Sequence, residues 1–130
     1  MDILYEYNGF VNSDLSCIKS FLDKAMGNLD TFIEDDDKLF DIKVILNELV
    51  VNGAMHGNQE EYNKKVFLDL SLNRTCIKIK VRDEGLGVKN NKTEYNCKDF
   101  KCSGRGLLIV EALTDELILN HNEVIAIKNI

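Results

Sequence analysis

Hydrophobic and polar residues change their spacing along the chain, and each change marks an element. Ile3-Leu4-Tyr5-Glu6-Tyr7 reads as a short first strand closed by Asn8-Gly9. Asn12 or Ser13 then caps a helix whose apolar positions Leu15, Ile18, Leu22, Ala25 and Leu29 recur at helical intervals, with Gly27 near its end. Beyond the acidic patch Glu34-Asp35-Asp36-Asp37, the run Leu39, Ile42, Ile45, Leu46 and Leu49 predicts a second helix that stops at Gly57-Asn58. Two alternating runs, Val66 to Leu72 and Thr75 to Asp83, flank Asn73-Arg74 and predict a tight hairpin. No period survives from Lys89 to Lys101, which reads as a long loop of the kind that forms lids or binding segments. An apolar helix, Leu107 to Leu113, and a closing hairpin follow; Leu117 to Asn120 pairs with Val124 to Ile130, turning near Asn122-Glu123. Two hairpins and three helices predict an α+β two-layer sandwich, its mostly antiparallel mixed sheet covered on one face by the helices.

Several polar residues interrupt this pattern. Glu48, Asn52 and His56 are each four residues apart in a helix apolar on most sides, so helical pitch stacks them on one stripe. A carboxylate there must be paired, protonated or ligand-bound, because burying it alone costs several kcal/mol. The stripe by itself fits a structural ion pair, a solvated edge or a functional site equally well. In the second strand of the first hairpin, Ile77, Ile79 and Val81 share one face, and period two places Asp83 in phase with them, pointing inward. Such an acid either takes bonds from turn amides at a strand end or awaits a ligand donor. It opens Asp83-Glu84-Gly85-Leu86-Gly87, a D-x-G-x-G turn whose glycines permit close approach of backbone to a ligand. Ser103-Gly104-Arg105-Gly106 leads into the apolar helix, and free amides at such a helix start are a physical basis for holding phosphate. Many such turns bind nothing.

Composition narrows the class. With 130 residues, 45% hydrophobic and 29% charged, the chain has the size and balance of one soluble globular domain, 1–130. A net charge of −6 argues against a direct nucleic-acid binder. From Val88 to Gly106, however, five basic residues (Lys89, Lys92, Lys98, Lys101, Arg105) face two acidic ones (Glu94, Asp99). That local excess would draw phosphates, or merely keep a loop in water. Met1-Asp2 opens no charged-then-apolar leader and no run is long enough to span a bilayer, so a cytoplasmic protein without membrane contact is expected. Cys17, Cys76, Cys97 and Cys102 lack C-x-x-C spacing, which argues against zinc and for free thiols. The acidic patch reads as a solvated helix start rather than a calcium loop. Proline is absent, so glycine, asparagine and aspartate must end the elements.

In order, a helix carrying Glu48 and Asn52, a D-x-G-x-G turn and a loop ending in G-x-G resemble the Bergerat or GHKL ATP-binding fold of gyrase, MutL and sensor histidine kinases. The likeness covers nearly the whole chain. Within that superfamily the sequence is most similar to the small bacterial anti-sigma factor serine kinases, whose helix reads E-x-x-x-N-x-x-x-H-G, as Glu48 to Gly57 does here, and whose S-G-x-G-L matches Ser103 to Leu107. The resemblance implies ATP and Mg²⁺ as cofactors. Asn52 would ligate the metal and Glu48 would be the general base. Asp83 would accept a hydrogen bond from the adenine amino group, with Gly85, Gly87 and Val88 passing close to the base. Ser103, Gly104, Arg105, Gly106 and Leu107 would serve the phosphates, and His56 would line the site. It also implies a STAS-type anti-anti-sigma protein as phosphate acceptor, a sigma factor as second partner, and a homodimer.

The sequence departs from that family at two places. Its last strand carries Asn122-Glu123-Val124 and Ile125-Ala126-Ile127 where a Gly-Thr pair or a threonine run is common. Gly53 sits inside the central helix at a cost to local stability, which implies a close neighbour. Two other readings remain beside the kinase: a nucleotide-gated module that binds a partner without phosphorylating it, and an ATP-binding domain acting in trans in a two-component system. For the latter, neither His56 nor His121 lies in a phospho-accepting helical hairpin.

Overall fold

The computed structural model describes residues 3–58, 63–85 and 106–130. Along the chain lie β1 (Ile3–Asn12), α1 (Leu15–Met26), the single turn α2 (Leu29–Phe32), α3 (Asp36–Asn52) with a π-helical turn (Gly53–Gly57), β2 (Lys65–Asn73), β3 (Cys76–Arg82), α4 (Gly106–Leu113), β4 (Glu116–Asn120) and β5 (Glu123–Asn129). The strands form one sheet in the order β1-β2-β3-β5-β4, and every described pairing is antiparallel. The result is the α+β sandwich expected, with a helical layer on one face.

Period two decides which side of each strand meets the helices. Val66, Leu68, Leu70 and Leu72 of β2 and Ile77, Ile79 and Val81 of β3 are buried under Ile42, Ile45, Leu46, Leu49 and Val50 of α3. Burial of side chains of this size contributes on the order of 1.5–3 kcal/mol each. The opposite face is polar and aromatic: the Phe10 and Phe67 rings lie 6.0 Å apart, and the Arg82 guanidinium sits 4.2 Å from the Phe67 centroid.

The structure moves several boundaries. β1 does not close at Asn8-Gly9 but continues to Asn12, because Asn8 and Gly9 pair with Asp69 and Leu68. Over Gly9 lies the Tyr7 ring, whose hydroxyl would be 2.7 Å from a Cβ placed there. The cap of α1 is neither Asn12 nor Ser13 but Asp14, whose carboxylate accepts from the Ser16 amide at 3.0 Å. Leu29 falls outside α1, in α2, because Gly27 at φ 45° ends the helix before it. The first hairpin turns at Arg74-Thr75, one residue later than expected, since the Asn73 carboxamide oxygen accepts from the Thr75 and Cys76 amides. The closing hairpin turns at His121-Asn122, one residue earlier than expected. The acidic patch does start a helix: the Asp35 carboxylate accepts from the Asp37 and Lys38 amides.

An inward-facing lysine locks α4 to the sheet. Lys128 of β5 donates to the Leu113 carbonyl at the end of α4 (2.9 Å) and pairs with Asp41 of α3 at 3.5 Å. Cys17 and Cys76 are free thiols. Cys97 and Cys102 lie outside the described residues. No helix among the described residues is long and apolar enough to cross a membrane.

The end of α1 depends on a tyrosine as well as a glycine. Tyr5 donates its hydroxyl to the Ala25 carbonyl at 2.8 Å, and burial, then the neighbouring Tyr7, push its ionisation above the ordinary phenol value. A Cβ at Gly27 would strike that hydroxyl, and it would also have to tolerate the left-handed backbone. Gly27→Ala is therefore expected to cost about 1–3 kcal/mol, whereas Tyr5→Phe, losing one hydrogen bond, costs about 1 kcal/mol. Urea unfolding of the two variants measures both; equal effects would remove the steric term.

Candidate active site

At the end of α3 the chain brings its predicted polar residues against the end of β3. Gly53 is the point of contact: a Cβ there would lie 3.3 Å from Val66 Cγ1 and 3.6 Å from Asp83 Cβ. The expected close neighbour of Gly53 is thus the β2–β3 pair. Asp83 sits on the helix-covered side, in phase with the buried Ile77, Ile79 and Val81, and is itself half-buried. Asn52 and Glu48 are also half-buried. They stand one turn apart on α3, roughly 6 Å along its axis. Among the described residues no hydrogen bond or ion pair engages either side chain, so Glu48 has no structural cation there.

Helix α3 ends at Asn52. At Gly53 the backbone passes into a π-helical turn, closed by the Asn58 amide on the Gly53 carbonyl at 2.8 Å. His56 lies within this turn, whose backbone hydrogen bonds span five residues instead of four.

Asp83 shows the first of the two behaviours foreseen for it. Its Oδ1 accepts from the Gly85 amide at 2.8 Å, the strand-end role. Yet burial, the largest influence, raises its pKa above the ordinary aspartate value, against the lowering effects of that hydrogen bond and of Arg82 and Lys64. A carboxylate kept partly out of water is one that a ligand donor can still stabilise.

The turn after Asp83 is held from behind by a residue that the sequence marked only as a helix stop. Asn58 is fully buried. Its Nδ2 donates to Ser13 Oγ (2.9 Å) and to the Lys65 carbonyl (2.8 Å), while its Oδ1 accepts from the Glu84 amide at 2.6 Å. Ser13, also buried, donates to the Lys64 carbonyl, and the Glu84 carboxylate accepts from the Lys65 amide. An asparagine after a glycine at a helix end looks like ordinary capping, so no local signal revealed this hub.

α4 begins at Gly106 and packs on α3. Leu107 points into the core, 7% exposed, so it can offer a ligand only its backbone. The first amides of α4 have no partners within the helix and form a positive end. Gly87, Val88, Ser103, Gly104 and Arg105 lie outside the described residues. For a metal, the groups at hand are the Asn52 amide oxygen and the Glu48 carboxylate, hard oxygen donors that suit Mg²⁺. No group of three His, Cys, Asp or Glu side chains that could hold a metal ion occurs among the described residues. One protein ligand, with phosphates and water completing the shell, is how Mg²⁺ is commonly bound at nucleotide sites.

The histidine kinase-like ATPase domain, as a family profile, matches residues 11–128. The chain belongs to that family. Membership implies ATP as the ligand of the fold. The histidine kinase-like domain is also similar to proteins named anti-sigma F factor: 34% identical over 86 residues to that of Oceanobacillus iheyensis, covering 62% of this chain and 59% of the relative. For the protein of that name in Bacillus subtilis the identity is 29% over 89 residues, covering 65% and 61%. The match to that of Geobacillus thermodenitrificans is 31% over 88 residues, covering 64% and 60%. These matches span about three fifths of the relatives' length.

Asn58 is the strongest test of how the site is built. Asn58→Ala would take one hydrogen bond each from the Glu84 amide, the Lys65 carbonyl and the buried Ser13 hydroxyl, so a loss of about 3 kcal/mol is expected. Ser13→Ala removes less, about 1 kcal/mol. Denaturant unfolding gives both values; an Asn58→Ala protein as stable as the parent would mean that the hub holds nothing.

Proposed function

We propose that the chain binds Mg²⁺-ATP between the end of α3, the Asp83 turn and the start of α4, and that it is a protein serine kinase and anti-sigma factor. Its acceptor is a serine on a STAS-type anti-anti-sigma protein, and its second partner is a sigma factor. The observation that carries the nucleotide reading is Asp83, a half-buried carboxylate held beside the last turn of α3 where Asn52 ends. The partner reading is supported by relatives named anti-sigma F factor, and the homodimer and cytoplasmic location belong to the same reading.

The residues divide the work as follows. Asp83 accepts a hydrogen bond from the exocyclic amino group of adenine and disfavours guanine, whose carbonyl at that position would meet a second acceptor. Gly85 keeps the backbone low beside the base. Asn52 offers its amide oxygen to Mg²⁺, which neutralises phosphate charge when bound. The amides at Gly106 and Leu107, with Gly104 and Arg105 before them, receive the remaining charge. Glu48 takes the proton of the serine hydroxyl as its oxygen bonds to the γ-phosphorus and the bond to the ADP oxygen breaks. The missing Gly-Thr pair in β5 keeps a second reading in view, a nucleotide-gated module that binds its partner without transfer.

Glu48→Gln separates the two readings. The variant is expected to bind Mg²⁺-ATP like the parent and to lose phosphate transfer to a cognate STAS protein by at least about 100-fold, the usual worth of a general base. Undiminished transfer would remove Glu48 from that role, and a parent that binds ATP but transfers nothing would establish the module.

Acidification tests Asp83. Adenine's amino group bonds more strongly to the ionised carboxylate than to the neutral acid, so affinity is full above the folded pKa and falls as pH drops through it. Because burial raises that pKa, the fall is expected to begin above the range of an ordinary aspartate. Calorimetry on the parent and on Asp83→Asn isolates the effect from titration of the phosphates: the variant should bind ATP more weakly and lack this part of the pH dependence. Parallel pH profiles would sink the assignment.

A further inference from the structure

We infer that Asn122, at the tip of the β4–β5 hairpin, is a positioning residue for the Asp83 carboxylate, so that the closing hairpin takes part in purine recognition. The inference rests on the adenine-binding reading of Asp83.

The β3–β5 ladder ends at the pair Arg82 and Glu123. Asp83 is therefore the first residue beyond regular pairing, where a strand end ordinarily frays. Asn122 closes it instead. Its carbonyl accepts from the Asp83 amide at 3.0 Å, and its side-chain Nδ2 donates to the Asp83 carbonyl at 2.5 Å. The carboxamide thus supplies the donor that a continued ladder would have taken from backbone. One residue occupies both main-chain groups of Asp83.

The turn brings Asn122 there at some cost. His121, just before it, holds φ 55°, an unusual backbone for a residue that is not glycine. On the other side, Asn58 Oδ1 holds the Glu84 amide. The two peptide groups flanking the Asp83 side chain are consequently fixed by two asparagines from different parts of the chain. With its backbone fixed, and one oxygen held by the Gly85 amide, the carboxylate has little freedom to turn away from a base. No threonine in β5 is needed for this.

Removing the Nδ2 donor should therefore loosen recognition of the base but not of the phosphates. Asn122→Ala is expected to bind ATP about tenfold more weakly, the worth of one hydrogen bond, and to lose its preference for ATP over GTP by a similar factor. Binding of Mg²⁺-tripolyphosphate, which has no base, should be unchanged. Asn120→Ala, an exposed position on the same hairpin, should behave like the parent throughout. Calorimetry with the three ligands decides the matter. If the parent binds ATP and Asn122→Ala keeps the parent's affinity and purine preference, the positioning role is overturned while the adenine reading stands. An equal loss for all three ligands would overturn it too, showing a general effect on the fold. A parent that binds no ATP would remove the adenine reading and this inference together.

Discussion

Asn58 is shut away from water, so every polar atom it carries must be satisfied by protein. That requirement joins parts of the chain that are far apart in sequence: the start of α1 through Ser13, the start of β2 through Lys65, the π-helical turn through Gly53, and the Asp83 turn through Glu84. Each bond is worth about 1 kcal/mol when made, but leaving a buried partner unmade costs about 1–3 kcal/mol. The asymmetry makes the hub specific. Slippage of any one of these segments would orphan a buried group in another.

The π-helical turn belongs to the same constraint. An α-helix continued past Asn52 would not carry the Asn58 amide onto the Gly53 carbonyl. The wider turn does, and it delivers the Asn58 side chain to the back of the Asp83 turn. Gly53 then allows the sheet to come within van der Waals contact of the helix. The side chain that would serve a base and the one that would serve a metal are thereby set at neighbouring points of one rigid frame. Lys128 extends the frame to α4 by holding that helix's C-terminal carbonyl.

Electrostatics in this frame are arranged by burial more than by pairing. The acid chain places its carboxylates mainly at helix starts and in solvent, as Asp14 and Asp35 illustrate. Asp83 departs from that pattern, its pKa raised by desolvation despite two nearby cations. A group in that condition gains from a ligand donor what the protein itself withholds, and this is the physical basis for reading it as a recognition residue rather than as one more turn cap.

Much of this was legible in the chain. Alternation in β2 and β3, helical spacing in α1 and α3, and the acidic start of α3 depend on residues within a few positions of one another, so the pattern predicts them. The inward phase of Asp83 follows from the same period of two, and the order of polar motifs pointed to a nucleotide site. The full length of β1 was not legible, because Asn8 and Gly9 stay extended only through pairing with β2. Nor was the π-helical turn at Gly53–Gly57, since a change of helical pitch leaves no mark in residue spacing. Asn58 and Asn122 look like ordinary turn asparagines; burial of the first and the hairpin's position beside Asp83 make them structural. Local sequence determined which elements form and which faces are apolar. Only the tertiary structure decided which polar groups would meet, because a hydrogen bond between distant segments requires a geometry that neither segment possesses alone.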